Sequence, residues 1–286
     1  MLPRFFLIFL TASTLLSAVE VRMAASDLLA DFIKAPLEAY GAENDITFKI
    51  ESLGSLPAMD RLRSDEVDLA IIAVPDSDKV PRDEFMVYPF AYDVAVVAVN
   101  AGNPIDEITL SRLGGIFGLN EEFNYNNWGE MGLSGWGSRS IKPMAGPSEG
   151  SISLELFKHS VFKGAEMKPK VAMVKDTEVE DMLASDAGSI AILSALPTSG
   201  RVKTLLVAET SDSPAFGPSE DNVHYGDYPI RLSFYIVYNK RDGAKMKPVL
   251  RVLLGDDTAE SLRSNRLFAL PDTIRRKLTI DLDLEN

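Results

Sequence analysis

The sequence predicts an α/β protein of two lobes, each a mostly parallel sheet flanked by helices, joined by two chain crossings. Three observations carry this. Residues 19–74 alternate strand and helix patterns at βαβαβ spacing, as in one half of a doubly wound sheet. The composition shifts at residues 120–137 to a polar, Gly-rich and aromatic stretch, after which strand and helix patterns resume. A strong apolar pattern at residues 229–239 (PIRLSFYIVYN) then fits a strand returning to the first lobe. The expected partition is 1–18 as signal peptide, 19–98 with 224–286 as lobe 1, and 99–223 as lobe 2.

The chain opens with Met-Leu-Pro-Arg and the apolar run FFLIFLTASTLLSA at 5–18. A short basic start, an apolar run and small Ala18 read as a cleavable secretory signal peptide. Leu16 stands where a small residue is usual. The competing reading is a membrane anchor, for which the run is short. Residues 19–24 (VEVRMA) alternate as a strand, with a helix expected over 28–40 behind Ser26 or Asp27 as N-cap. Residues 46–50 form a second strand, 52–55 (SLGS) a turn, and 57–63 a helix opened by Pro57. The apolar run 68–74 (DLAIIAV) fits a strand buried on both faces. Ligands of such sheets bind beyond the carboxyl ends of the strands. That rule marks Ser26, Asp27, Ser55 and the segment after Val74 as one candidate crevice.

Further on, the patterns give a buried strand in 87–100, a short helix over 110–117 and a strand at 141–144. Helix 151–162, strand 170–174, helix 178–184, strand 189–193 and strand 202–208 follow. Residues 209–227 are acidic and rich in Ser and Pro, as in a loop. Helices are expected over 246–254, 259–264 and 272–278, then a frayed acidic end.

Residues 144–157 (MAGPSEGSISLELF) join a strand end to a helix start through a Gly- and Ser-rich turn. Helix starts present unpartnered N–H groups and the positive end of the dipole, a ready anion site. Ser26 is the first instance of a small-residue turn at a helix start, and Ser148 to Ser153 the second. Two such lobes facing each other make a hinged clamp.

With 286 residues and a net charge of −13, the chain is unsuited to nucleic acid or an anionic membrane as main partner. A small anion remains open, because a buried site answers to local dipoles. Zero cysteines remove disulfides, thiol catalysis and thiolate metal sites, and an exported chain without disulfides fits a bacterial periplasm. Two histidines, no D-x-D-x-D-G loop, no Walker A and no GxGxxG leave no metal or cofactor expected.

Six segments in order resemble the phosphate-binding-protein-like family of bacterial periplasmic substrate-binding proteins, which has the type II periplasmic-binding-protein fold. They are 65–75 (DEVDLAIIAVP), 92–103 (YDVAVVAVNAGN), 110–117 with 127–132 (NWGEMG), 149–157, 187–193 (AGSIAIL) with 228–237, and 268–271 (FALP). The resemblance implies capture of a small oxyanion, phosphate or phosphate-like, by a monomeric non-enzyme that delivers it to an inner-membrane ABC transporter permease. Its ligand positions fall on Ser26, Asp27, Ser55, Glu149, Gly150, Ser151 and Ser153. The family's Arg before the ligand loop is not matched, since residues 146–148 hold none. Its acceptor Asp aligns near Ala73, with Asp76 and Asp78 nearby. Losing a bidentate charged partner weakens anion binding by roughly 1.5–3 kcal/mol.

Two other classes compete. Gly146–Gly150 satisfies the G-x-S-x-G of serine hydrolases, with Ser148, an acid among Asp176 to Asp221, and His224 in formal order. No HGGG-like segment precedes it, and the strand before it carries Lys142 and Pro143. The other class is a partner-binding module that kept the fold without its ligand. For Tyr125, Trp128 and Trp136, packing in the second lobe competes with a cleft rim or docking surface.

Overall fold

The computed structural model describes residues 19–75, 79–119, 121–146, 152–162 and 166–284. The expected signal peptide, Asp76, Asp78 and the loop residues Ser148, Glu149, Gly150 and Ser151 lie outside them.

The chain begins with the anticipated βαβαβ unit. Strand β1 (Val19–Ala25) is followed by α1 (Ala30–Asn44), which buries Ile33 and Leu37, and by β2 (Ile46–Ser52). Helix α2 (Ser55–Arg63) and β3 (Leu69–Val74) complete it. β1 pairs in parallel with both β2 and β3, so all three carboxyl ends lie on one edge. β4 (Phe85–Val94) and β5 (Val96–Asn100) come next, then β6 (Glu107–Thr109) and α3 (Leu110–Phe117). A 3-10 turn at Trp128–Met131 leads to β7 (Lys142–Ala145), α4 (Ile152–Val161), β8 (Ala172–Met173) and α5 (Val179–Ser185). β9 (Ser189–Leu193), β10 (Val202–Thr204), β11 (Leu206–Ala208) and α6 (Glu220–Tyr225) follow. The chain then forms β12 (Arg231–Asn239), α7 (Gly243–Leu253), α8 (Asp256–Ser264), β13 (Phe268–Ala269) and α9 (Asp272–Leu284).

Two main sheets result. The first has the order β13-β4-β12-β3-β1-β2 and the second β10-β5-β9-β7-β8, while β11 and β6 form a short pair. In each, a parallel run (β2-β1-β3, and β9-β7-β8) is extended by antiparallel strands. The chain changes sheet twice, and the two crossings are clasped together. Ala95, between β4 and β5, donates its N–H to Ile230 O at 3.2 Å. The fully buried Tyr228 donates its hydroxyl to Ala95 O at 2.9 Å.

Several expected elements differ. The run 87–100 is two strands in two sheets, because Ala95 turns its backbone groups to the return crossing. The run 202–208 divides at Leu205, whose N–H bonds Val97 O, so that β10 joins the second sheet and β11 pairs with β6. The acidic stretch 209–227 contains α6, capped by the Ser219 hydroxyl at Asn222 N and closed by Gly226 at φ 87°. A strand over 170–174 shrinks to Ala172–Met173. The acidic C-terminal stretch is helical as far as it is described: α9 runs to Leu284, with Leu282 buried and Asp283 paired with Arg251, and residues 285–286 lie outside the described residues. Trp128 is fully buried and donates Nε1–H to Gly188 O at 3.0 Å, so it packs the second sheet's surroundings. Tyr125 and Trp136 pack half-buried against the same core.

Candidate functional site

The edge where β1, β2 and β3 end holds the first set of expected ligands. Ser26 directly follows β1 and is 2% exposed. It is not the side-chain cap of α1, as its sequence position suggested. Its carbonyl accepts from Leu29 N and Ala30 N, making a turn over 27–29, and α1 starts behind Leu29. Among the described residues its hydroxyl takes part only in a 3.4 Å bond from Leu28 N, which leaves the proton for another acceptor. Asp27 is exposed on that turn.

Ser55 opens α2, two residues ahead of the expected start at Pro57. Its hydroxyl donates to Ala73 O at 3.0 Å and accepts from Ala73 N at 2.9 Å. The β1 ladder stops at Ala25 opposite Ile71, and Ser26 N reaches Ile71 O. The Ser55 side chain therefore supplies the next rung of β3 where the β1 backbone has turned away. Its proton is committed, and donation to an anion means exchanging Ala73 O for the ligand.

Ser153 comes from the other sheet's side, in the first turn of α4. It is 6% exposed, and its hydroxyl donates to Asp93 Oδ1 at 3.3 Å. Asp93 is the penultimate residue of β4, two positions before the crossing at Ala95, and also accepts from Val94 N at 2.7 Å. Burial pushes the Asp93 carboxyl up to about 6, against the downward pull of the Val94 N–H and the Ser153 hydroxyl.

A cleft of about 250 Å³ has Asp93 and Ser153 among its lining, with Leu28 of the turn before α1 and Phe32 of α1 on one wall. Asp176, Ser194 and Arg266 line it as well. Arg266 Nη1 donates to Ser194 Oγ at 2.9 Å and pairs with Asp176 Oδ2, to which Ser194 Oγ also donates at 2.5 Å. Ser194 follows β9 of the second sheet, whereas Arg266 precedes β13 of the first. Gly146, just past β7, leaves room for Val179 and Asp176 to pack against its backbone. A Cβ on Gly146 would sit 2.8 Å from Val179 Cγ1 and 3.0 Å from Asp176 Oδ1.

Of the expected ligands, Ser26 and Ser55 share one sheet edge, and Ser153 lies in the cleft. Sequence inspection missed Asp93, Ser194 and Arg266, and named Asp176 only among the acids open to a hydrolase triad. Asp93 had a signal, a lone carboxylate inside the apolar run 85–100. Arg266 had none, since its approach to Asp176 depends on folding across 90 residues.

Beside the crossings, Tyr92 OH meets His224 Nδ1 at 2.8 Å, and the Arg231 guanidinium lies 5.6 Å over the Tyr92 ring. Burial, with help from Arg231, lowers the His224 pKa. His224 is thus engaged at the hinge, and Asp176 is engaged with Arg266. Among the described residues no group of three or more His, Cys, Asp or Glu is placed to hold a metal ion. None of their helices is long and apolar enough to cross a membrane.

The fold and cleft define a two-lobed binding protein, and comparison with known proteins gives the family. The PBP superfamily domain matches residues 11–256, and the chain belongs to that superfamily. The phosphate-binding protein PstS of Pseudomonas aeruginosa is 21% identical over 281 residues, covering 91% of this chain and 85% of that protein. Among solved structures, PstS from Borrelia burgdorferi matches with a TM-score of 0.71 at 15% identity, covering 88% of this chain and 99% of that one. An ABC-type phosphate transport receptor from Vibrio cholerae gives 0.66 at 15% identity, with the same coverages.

Proposed function

We propose that this protein captures a small oxyanion, phosphate or phosphate-like, between its two lobes and hands it to an ABC-type permease in the inner membrane. It is exported to the periplasm behind a cleavable signal peptide over residues 1–18 and works as a monomer. The lobes follow the sheets, with residues 19 to about 95 and the chain from about 224 onward in one and the intervening chain in the other. The ligand is held by Ser26, Asp27, Ser55, Glu149, Gly150, Ser151 and Ser153 together with backbone N–H groups. Closure of the lobes sequesters it.

The observation that carries this most directly is Ser26. A buried hydroxyl whose proton has no acceptor among the described residues, at the carboxyl edge of three parallel strands, suits an anion. The names of the P. aeruginosa and V. cholerae relatives support phosphate as the first ligand to test.

The test is a thermal-shift panel of phosphate, sulfate, molybdate, phosphonates and carboxylates on the mature chain. A ligand at 100 times its Kd adds about 2.7 kcal/mol of stability. One oxyanion raising the transition supports the proposal. A flat panel favours the other reading, a partner-binding module without a ligand, for which the Arg missing from 146–148 is the specific observation.

A further inference from the structure

We propose that Arg266 is the cationic ligand of this cleft, and that its ion pair with Asp176 is an exchangeable latch which an oxyanion opens by taking over the guanidinium. This deepens the anion-binding function proposed above and rests on it.

The first support is a backbone that does not suit its side chain. Helix α8 ends in a two-bond closure: Leu267 N bonds Leu262 O at 3.0 Å, and Arg266 N bonds Arg263 O at 3.0 Å. That arrangement places the residue after the cap in the left-handed region, the position glycine fills in most such helix ends. Here Arg266 holds it, at φ 69°. Glycine closes the same turn without strain, so stability of the turn does not account for an arginine there.

The second support is where the guanidinium goes. It leaves a segment of the first sheet and meets Asp176 and Ser194 beside the second, inside the cleft that Ser153 also lines. Among the described residues its bonds run through Nη1 alone, so Nε and Nη2 remain for a second acceptor. Half of the Arg266 side chain is exposed, against 26% for Asp176, so the pair sits at the cleft mouth where exchange with solvent-borne anions is open.

The third support is chemical equivalence. Asp176 presents a planar carboxylate to the guanidinium, and an oxyanion presents the same pair of acceptor oxygens. Residues 146–148 bring no arginine to the loop, so this guanidinium is the cation that the described cleft lining provides. When the anion takes it, Ser194 keeps its bond to Asp176, and the carboxylate, about a quarter exposed, is left partly solvated rather than stranded.

Calorimetric titration of inorganic phosphate and of sulfate into the mature chain and three variants tests this. Arg266→Gln is expected to weaken binding about tenfold or more, the scale of one charge-assisted partner. Asp176→Asn, which removes the competing carboxylate, is expected to tighten it several-fold. Arg266→Gly is expected to unfold at the same temperature as the wild type or higher while binding as weakly as the Gln variant, which separates a ligand role from a strut. Wild-type binding that persists unchanged in Arg266→Gln and Arg266→Gly overturns the latch and leaves the anion-binding function standing. A wild-type chain that binds neither phosphate nor sulfate, nor any oxyanion of the panel, overturns both.

Discussion

The Ser153 hydroxyl in the first turn of α4 lies 3.3 Å from Oδ1 of Asp93 at the end of β4, joining that helix to the strand that leads into the crossing between sheets. Asp93 is 8% exposed, and its folded pKa of about 6 exceeds the ordinary 3.8. An acid raised in this way disfavours the ionised native form. Its penalty is absent below about pH 4, grows between 4 and 6, and is complete above 6. At pH 7 two pKa units correspond to about 3 kcal/mol of lost stability. Asp93→Asn keeps the shape without the charge. Urea unfolding at pH 4.5 and 7.5 should show the wild type losing stability between the two, and the variant losing markedly less.

Asp68 gives the opposite dependence. Burial alone would raise it, yet Arg22, through N–H and guanidinium bonds of 2.9 and 3.0 Å, and Lys245 at 2.9 Å hold it down to about 2. A lowered carboxylate stabilises the native state above its unfolded pKa and loses that contribution as pH falls through the folded one. Between pH 4 and 2 the protein should lose about 2 kcal/mol from this group. Asp68→Asn should remove most of that acid-range slope in a pH-dependent denaturation series.

Ser55→Ala isolates the rung that the hydroxyl makes to Ala73. Removing it leaves an N–H and a carbonyl of β3 without their partner, at a cost of about 1–2 kcal/mol. Chemical denaturation should register that loss. Hydrogen exchange at Ala73 N–H should rise in the same variant, while β12, on the other side of β3, keeps its protection.

The βαβαβ opening was legible because its strands are either alternating or wholly apolar and its helices are amphipathic. The period alone distinguishes them. The crossing at Ala95 was not legible, since VYPFAYDVAVVAVN is continuous in hydropathy and only the partner strands decide where it changes sheet. α6 was hidden by an acidic, Ser- and Pro-rich context, although Ser219 and Gly226 stand at its two ends as cap and stop. In the candidate site, the strand-end position of Ser26 and the helix-start positions of Ser55 and Ser153 were legible because such positions are local signals. Asp176, Ser194 and Arg266 meet only through tertiary folding, so no spacing in the chain announces them.

The central claim is that an oxyanion is held by hydroxyls contributed from both sheets. Equilibrium titration of inorganic phosphate into the wild type, Ser26→Ala and Ser153→Ala tests it most directly. The expected result is saturable one-to-one binding, weakened about tenfold or more by each substitution, on the scale of one hydrogen bond to a charged group. Phosphate affinity unchanged in both variants, or no saturable binding of phosphate or any related oxyanion to the wild type, contradicts it.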